Sequence, residues 1–329
     1  MNTSKKRFDV TDFTIHHFLF TVEVVTPIEL DEHSGSALRG SFFEAVWRRF
    51  CTNKESLTCV ECPLHTICPV SALVAPLREE NLRGRDIPRP YVILPPIGQK
   101  RRYEIGSQLI FGLTLFGSIV QLLPYIMLSA HELEENGIGR KLGENKWRRG
   151  RYTIIQVESC HPFNSQREMI YQAGRTLVNA PTLAVTAIDV ANRALNLSTE
   201  HLALDFLTPT RLTDREKLVH QPAFRPLIQR LSERLAALTE TYGGQSTVNL
   251  SNDMVQQATS ITCTEDHTHW EDVQSYSHRQ QRHTPVSGFV GRATFVGDLA
   301  PFRELLTWGE LIHVGKSAVK GNGWYKIVN

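Results

Sequence analysis

Apolar and polar residues alternate in some stretches at the period of two that a strand imposes, and recur in others at the three-to-four spacing of a helix face. Residues 12–26, DFTIHHFLFTVEVVT, place apolar side chains on both alternating faces, the pattern of a strand buried in the middle of a sheet. Pro27 ends it. Ser34, Gly35 and Ser36 then offer N-caps for a helix in which Leu38, Phe42, Ala45, Val46 and Arg49 fall at helical spacing. Residues 71–90 mix charges without a period and read as loop. Strands are predicted at Tyr91–Leu94 and Leu109–Phe116, an amphipathic helix at Ile119–Glu135, and a strand at Tyr152–Val157. A basic segment with Gly137 and Gly139 joins that helix to that strand.

The same order returns further along. His201–Leu207 reads as a strand turned by Thr208 and Pro209, and Pro222–Tyr242 as a long helix. Residues 243–265 are polar and read as loop. The run Ser275–Gly297 reads as two strands with Gly288 and Gly291 between them, Asp298 caps a helix reaching Trp308, and Trp324–Val328 closes as a strand. Each half can be written β-α-β-β-α-β. The expected fold is therefore α+β: two tandem ferredoxin-like, RRM-like domains over residues 1–165 and 166–329, whose open sheet faces suit single-stranded RNA. A chain of 329 residues fits two domains of roughly 150 residues each.

Composition adds mostly exclusions. With 41% hydrophobic and 21% charged residues the chain is typical of a globular protein. No apolar run reaches the roughly 18 to 20 residues of a membrane span. The start, MNTSKKRFDV, has no apolar core behind its basic residues, so no secretory signal is expected and a cytoplasmic location is. The net charge of +2 is uninformative, but its distribution is not. Arg140, Lys141, Lys146, Arg148, Arg149 and Arg151 face one acid, Glu144, between Gly139 and Arg151, and no acid lies between Asp272 and Asp298, where Arg279, Arg282 and Arg292 do. Such stripes suit a nucleic-acid face or, more blandly, a solvated loop. The stretch from Gly309 to Trp324 is a third cationic segment: Gly315, Lys316, Lys320, Gly321 and Gly323, with no acid after Glu310, read as a phosphate cradle or as a flexible C-terminal hairpin.

Four of the six cysteines, Cys51, Cys59, Cys62 and Cys68, follow the first helix within a short insertion. Reduced thiolates at such spacing can converge on one ion, and four would leave no open coordination position, so a structural zinc is expected rather than a catalytic metal. An iron–sulfur cluster or unliganded thiols are the alternatives. Cys160 and Cys263 are isolated and read as incidental.

Four features coincide: Gly-Ser-Ala-Leu-Arg-Gly at Gly35–Gly40 after a strand, the cysteine cluster behind that helix, Ser-His-Arg-Gln at Ser277–Gln280 with Gly288 and Gly291 beyond it, and a final G-x5-G-K-x4-G-x-G from Gly309 to Gly323. Together they resemble the CRISPR pre-crRNA-processing endoribonucleases of the RAMP superfamily, in their cysteine-containing branch, over almost the full chain. The resemblance implies tandem ferredoxin-like domains and a C-terminal glycine loop that contacts RNA. It also implies cleavage of repeat-containing transcripts without a catalytic metal, by attack of a ribose 2′-hydroxyl on the adjacent phosphate. The guide would be retained, with other CRISPR effector subunits as partners and no membrane.

That chemistry needs a base, an acid and a cation at the phosphate. Members of the family frequently carry a histidine on or beside the first helix, whereas the turn Gly40-Ser41-Phe42-Phe43-Glu44 has none. His33 and His278 are the substitutes, with Lys316 as the cation. Arg39, Lys146, Arg148, Arg149, Arg279, Arg282, Gly315, Lys316, Lys320, Gly321 and Gly323 are the expected RNA contacts. A non-catalytic subunit that holds guide RNA is the alternative to an enzyme. A zinc-finger DNA-binding regulator is a third reading, which lacks the paired ligand spacing and short recognition helix of such a module.

Overall fold

A computed structural model of the chain describes residues 8–56, 58–59, 61–76, 87–98, 101–175, 177–244, 247–248, 252–277 and 282–328. It divides into two compact units, Ile15–Ala184 and Val185–Asn329, the second of which also takes the stretch ending at Thr14.

Strand β1 (Phe8–Asp9) belongs to the second unit. The first unit runs β2 (Ile15–Val24), β3 (Ile28–Glu29), α1 (Gly35–Phe50), α2 (Pro69–Val74), β4 (Tyr91–Leu94), β5 (Arg102–Tyr103), β6 (Gln108–Phe116), α3 (Leu123–Asn136), β7 (Ile138–Leu142), β8 (Arg148–Gly150), β9 (Tyr152–Cys160) and β10 (Arg167–Gln172). Its sheet is antiparallel in the order β10-β9-β2-β6-β4. Without β10 this is the fourth-first-third-second order of a ferredoxin-like unit. Residues 167–172 belong to this sheet because β10 hydrogen-bonds β9. Phe20 of β2 and Phe111 of β6 stack at 5.3 Å. From α1, Leu38, Phe42, Ala45 and Val46 are buried.

His17 lies among the other side chains of β2, 8% exposed, sharing a 2.8 Å hydrogen bond with Thr114 Oγ1 through Nδ1. Nε2 is buried with no hydrogen-bond partner among the described residues. Burial, with smaller contributions from His16 and His161, pulls its pKa down to about 3, so the ring is neutral at physiological pH.

The second unit runs α4 (Ala187–Leu195), β11 (His201–Thr210), β12 (Leu212–Asp214), β13 (Lys217–Val219), α5 (Phe224–Tyr242), β14 (Thr247–Val248), α6 (Asn252–Gln257), β15 (Thr262–Glu271), β16 (Gln274–Ser277), β17 (Arg282–Pro285), β18 (Gly288–Val296), α7 (Arg303–Ile312) and β19 (Tyr325–Val328). Its sheet order, β15-β18-β11-β19, is again second-third-first-fourth, all antiparallel. The fold is α+β with tandem ferredoxin-like domains.

Several expectations change here: the loop read over 71–90 opens inside α2, and β11 runs through Thr208 and Pro209, which were read as its turn. The expected loop over 243–265 contains α6 and the start of β15, the second strand of the ferredoxin-like unit. Its sequence, TCTEDHTHWE, has no alternation because it is an edge strand largely exposed to solvent. Gly288 and Gly291 do not separate two strands but lie inside β18. A Cβ on Gly288 would stand 2.5 Å from the Thr210 backbone, and Gly291 has φ +110° at a Cβ position 2.6 Å from His267 O. Finally, α7 runs past Trp308 to Ile312, and Gly309 is a helical residue whose missing side chain admits Tyr325 of β19. The Tyr325 hydroxyl donates to Leu306 O at 2.7 Å. One residue on, Glu310 is 9% exposed and accepts from Ile327 N at 2.8 Å, with Arg193 Nε at 3.7 Å; burial holds its carboxyl above the ordinary range.

His17 makes the first unit's stability depend on acidity. Its pKa is lower folded than unfolded, so the unfolded chain binds the extra proton between its ordinary 6.5 and about 3. Stability is whole above that window and falls with pH through it, at a rate approaching about 1.4 kcal/mol per pH unit. Thermal melts of the parent from neutrality to mild acid should show this slope, and His17→Gln, which can still bond Thr114, should flatten it.

Candidate nucleic-acid interface

The C-terminal cationic loop is a tightly laced structure. Helix α7 ends at His313, which takes φ +62°. Half-buried Arg234 of α5 donates from Nε to Ile312 O at 2.7 Å, and although desolvation pulls its pKa down to about 10 it remains a cation at neutral pH. Beyond it, Lys316 N donates to Arg211 O (3.0 Å), Gly323 N to Pro209 O (3.1 Å), Val314 N to Gly323 O (3.0 Å), and Thr208 Oγ1 to Gly321 O (2.8 Å). Gly315, Gly321 and Gly323 all take φ near +70° to +90°. A Cβ on Gly315 would fall 2.4 Å from Arg211 O, and one on Gly323 1.8 Å from Val314 O. These glycines therefore let the loop backbone approach the end of β11 and itself, an internal reason for them that needs no ligand.

The lysines divide. Lys316 is exposed, whereas Lys320 is half-buried with Nζ 3.0 Å from Ser275 Oγ of β16. Asn322 Nδ2 also donates to Val286 O at 3.1 Å, between β17 and β18. The glycine loop and the β16–β17 hairpin thus meet in one region of the second unit. His278 and Arg279, between those strands, lie outside the described residues, as does the side chain of Arg282, whose backbone pairs with Ser277.

In the first unit the candidates lie around α1 and the β7–β8 hairpin. His33 is half-buried just before α1, whose first turn carries no acid. Arg39, also half-buried, sets its guanidinium 5.3 Å from the centre of the Phe43 ring. It also lies beside buried Tyr91, where burial raises the phenol's pKa while Arg39 and Arg89 oppose the shift. The basic segment after α3 is a hairpin whose arginines are not equivalent. Arg140 bonds Asp31 (2.6 Å) and Glu29 (3.1 Å), Arg149 bonds Ser41 Oγ (3.2 Å) and lies 3.5 Å from Glu44, and Arg151 bonds Glu135 (3.0 Å). The hairpin's one acid, Glu144, is held by both oxygens to Arg102 at 2.8 and 3.0 Å. Lys141, Lys146 and Arg148 are exposed and, among the described residues, form no ion pair. Of the expected contacts here, Lys146 and Arg148 are free cations and Arg149 is a structural one.

The four clustered thiols are half-buried. Cys62 Sγ accepts from Asn53 Nδ2 at 3.8 Å, and among the described residues no three His, Cys, Asp or Glu side chains gather as a metal set.

Two cation-bearing ferredoxin-like units in tandem define a RAMP-type architecture. A family model named AF_1859_N and described as an N-terminal domain matches residues 13–183, more than half of the chain. A second, described as CRISPR-associated endoribonuclease Cas6, matches residues 204–325. The chain belongs to the family of the first model and, with the second, is a CRISPR Cas6-type RAMP protein. No curated protein matches it in sequence. Among solved structures it is similar to a partial Cas6-RT-Cas1–Cas2 complex (TM-score 0.59, 10% identity, 97% of this chain). It is also similar to a Cas6 product complex (TM-score 0.54, 14% identity, 96% of this chain and 99% of that one) and to Thermus thermophilus Cas6 (TM-score 0.52, 14% identity, with the same coverage). The chain spans 46% and 29% of the two Cas6-RT-Cas1 chains it matches. At these identities the likeness shows the fold. No helix among the described residues is long and apolar enough to cross a membrane.

The internal role of the loop glycines has a measurable consequence. Gly323→Ala should destabilise the protein by about 3 kcal/mol through backbone overlap and a strained left-handed residue. Lys316→Ala, on exposed surface, should stay within about 0.5 kcal/mol of the parent. Denaturant titration followed by far-UV circular dichroism distinguishes the two.

Proposed function

We propose that this protein is an endoribonuclease that cuts repeat-containing CRISPR transcripts and keeps the guide RNA it makes. The observation that carries the reading is that one Cas6-type chain holds, in each unit, an exposed cationic segment after the second helix: Lys146 and Arg148 in the first, Lys316 in the second. Phosphates are the natural counter-charge for such segments. Cleavage would proceed without a catalytic metal. A base takes the proton of a ribose 2′-hydroxyl, the oxygen attacks the adjacent phosphorus, and the bond to the 5′ oxygen breaks as that oxygen gains a proton. The products are a 2′,3′-cyclic phosphate and a 5′-hydroxyl. His33 is the base candidate in the first unit and His278 in the second, with Lys316 to hold phosphate charge. Other CRISPR effector subunits are the proposed partners.

The test is a repeat RNA incubated with the protein in EDTA, with product ends analysed by phosphatase sensitivity. A cyclic-phosphate product that His33→Ala or His278→Ala lowers at least about a hundredfold supports the enzyme, since general acid–base groups contribute on that scale. Intact RNA at saturating protein would leave the second reading, a subunit that only holds guide RNA. That reading is favoured by the turn Gly40–Glu44, which carries no histidine.

Spacing alone supports a structural zinc at Cys51, Cys59, Cys62 and Cys68, whose thiolates would have to draw together from where they stand. Elemental analysis of the purified protein should then find about one zinc per chain, lost in a Cys59→Ser, Cys62→Ser variant with a lowered melting temperature. A metal-free parent with an unchanged melt in the variant would reject it.

A further inference from the structure

The β7–β8 hairpin ends in a five-residue loop, Gly143–Trp147, whose shape is fixed from within. Asn145 N and Trp147 N both donate to Leu142 O (3.1 and 2.9 Å), Lys146 N to Gly143 O (2.9 Å), and Arg148 N to Asn145 O (3.1 Å). Side chains fasten it to the rest of the unit: Asn145 Nδ2 donates to Pro27 O at 2.8 Å, and Glu144 is clamped by Arg102. Lys146 and Trp147 both take left-handed backbone angles, φ +57° and +60°, which bulky side chains disfavour and where a turn would ordinarily use Asn or Gly. Trp147 is nonetheless there, 74% exposed. An indole held out in water by a rigid loop contributes little to the unit's core.

Its neighbours point to what it meets. The clamp on Glu144 removes the hairpin's one carboxylate from play, and Arg140, Arg149 and Arg151 are consumed by ion pairs lower down. The hairpin's cations left without a counter-charge among the described residues are Lys141, Lys146 and Arg148, two of them flanking Trp147. A flat π-face set between unpaired cations matches a nucleotide, which brings a base to stack and a phosphate to neutralise. We propose that the β7–β8 tip is a stacking platform for one unpaired nucleobase of RNA, with Trp147 as the stacking face and Lys146 and Arg148 as the flanking phosphate contacts. This rests on the RNA-binding reading above and adds to it single-strandedness at a defined spot. Duplex RNA, whose bases are already stacked on one another, has no free face to offer.

Fluorescence anisotropy with the full chain tests it, using an unstructured single-stranded RNA of about ten nucleotides and a blunt RNA duplex of similar length. In Trp147→Ala, single-strand affinity should fall about tenfold, the effect of losing one stacked base, while duplex affinity and melting temperature hold. Trp147→Phe should recover most of the loss. The salt dependence should separate the parts: Lys146→Ala with Arg148→Ala should lower the log–log slope by about 1.4, and Trp147→Ala should leave it unchanged. Equal single-strand affinity in parent and Trp147→Ala overturns the platform while leaving RNA binding standing, and so does an equal loss on both RNAs. A parent that binds neither RNA overturns the RNA-binding reading and the platform with it. Loss of binding to polyglutamate in Trp147→Ala, with RNA affinity intact, would make the tip a protein-docking surface instead.

Discussion

Each unit depends on its first long strand, which is hydrogen-bonded along both edges. β2 pairs with β6 and β9, and β11 with β18 and β19. A one-residue slip in β2 would turn Phe18, Phe20 and Val22 away from the face they share and exchange them for His17 and Glu23. The same strands also place the cationic segments. The chain just after β2 receives the hairpin: Asn145 donates to Pro27 O, Arg151 N to Thr26 Oγ1, and a Cβ on Gly150 would stand 2.2 Å from Pro27 O. The end of β11 receives the C-terminal loop through Thr208, Pro209 and Arg211. The likeness between the two halves is thus a likeness of anchoring, with the segment after the second helix tied in each unit to the far end of the first strand.

How much of this could be read from residues alone follows from burial. β2 and β11 were legible because burial forces apolar residues into them, and α1, α3 and α5 because one face of each is packed, whereas the short α2, α4 and α6 were not read as helices. β15 was not, since an exposed edge strand places no hydrophobic demand on its sequence. α7 was cut short at Trp308 because Gly309 looks like a stop. Only the packed Tyr325 explains a glycine inside the helix.

The site was legible in part, and for a related reason. Lysines and arginines can be counted in a sequence, but their partners cannot. Arg140, Arg149 and Arg151 meet acids from residues far away along the chain, and Glu144, which looked like the segment's own neutralising charge, is held by Arg102. What survives this cancellation is a smaller cationic tip around an aromatic residue that a count of charges passes over. Glycines are ambiguous in another way, because close approach of backbone to backbone demands them as firmly as close approach of backbone to ligand.

Two buried titratable groups give the halves of this protein contrary responses to protons. Protonating His17 opposes folding of the first unit, since its native ring is neutral. Glu310 holds its proton more firmly in the native second unit than in the unfolded chain, so acid favours that unit. On a falling pH these two groups therefore act in opposite senses, one on the unit built around the buried histidine and the other on the unit that carries the C-terminal loop.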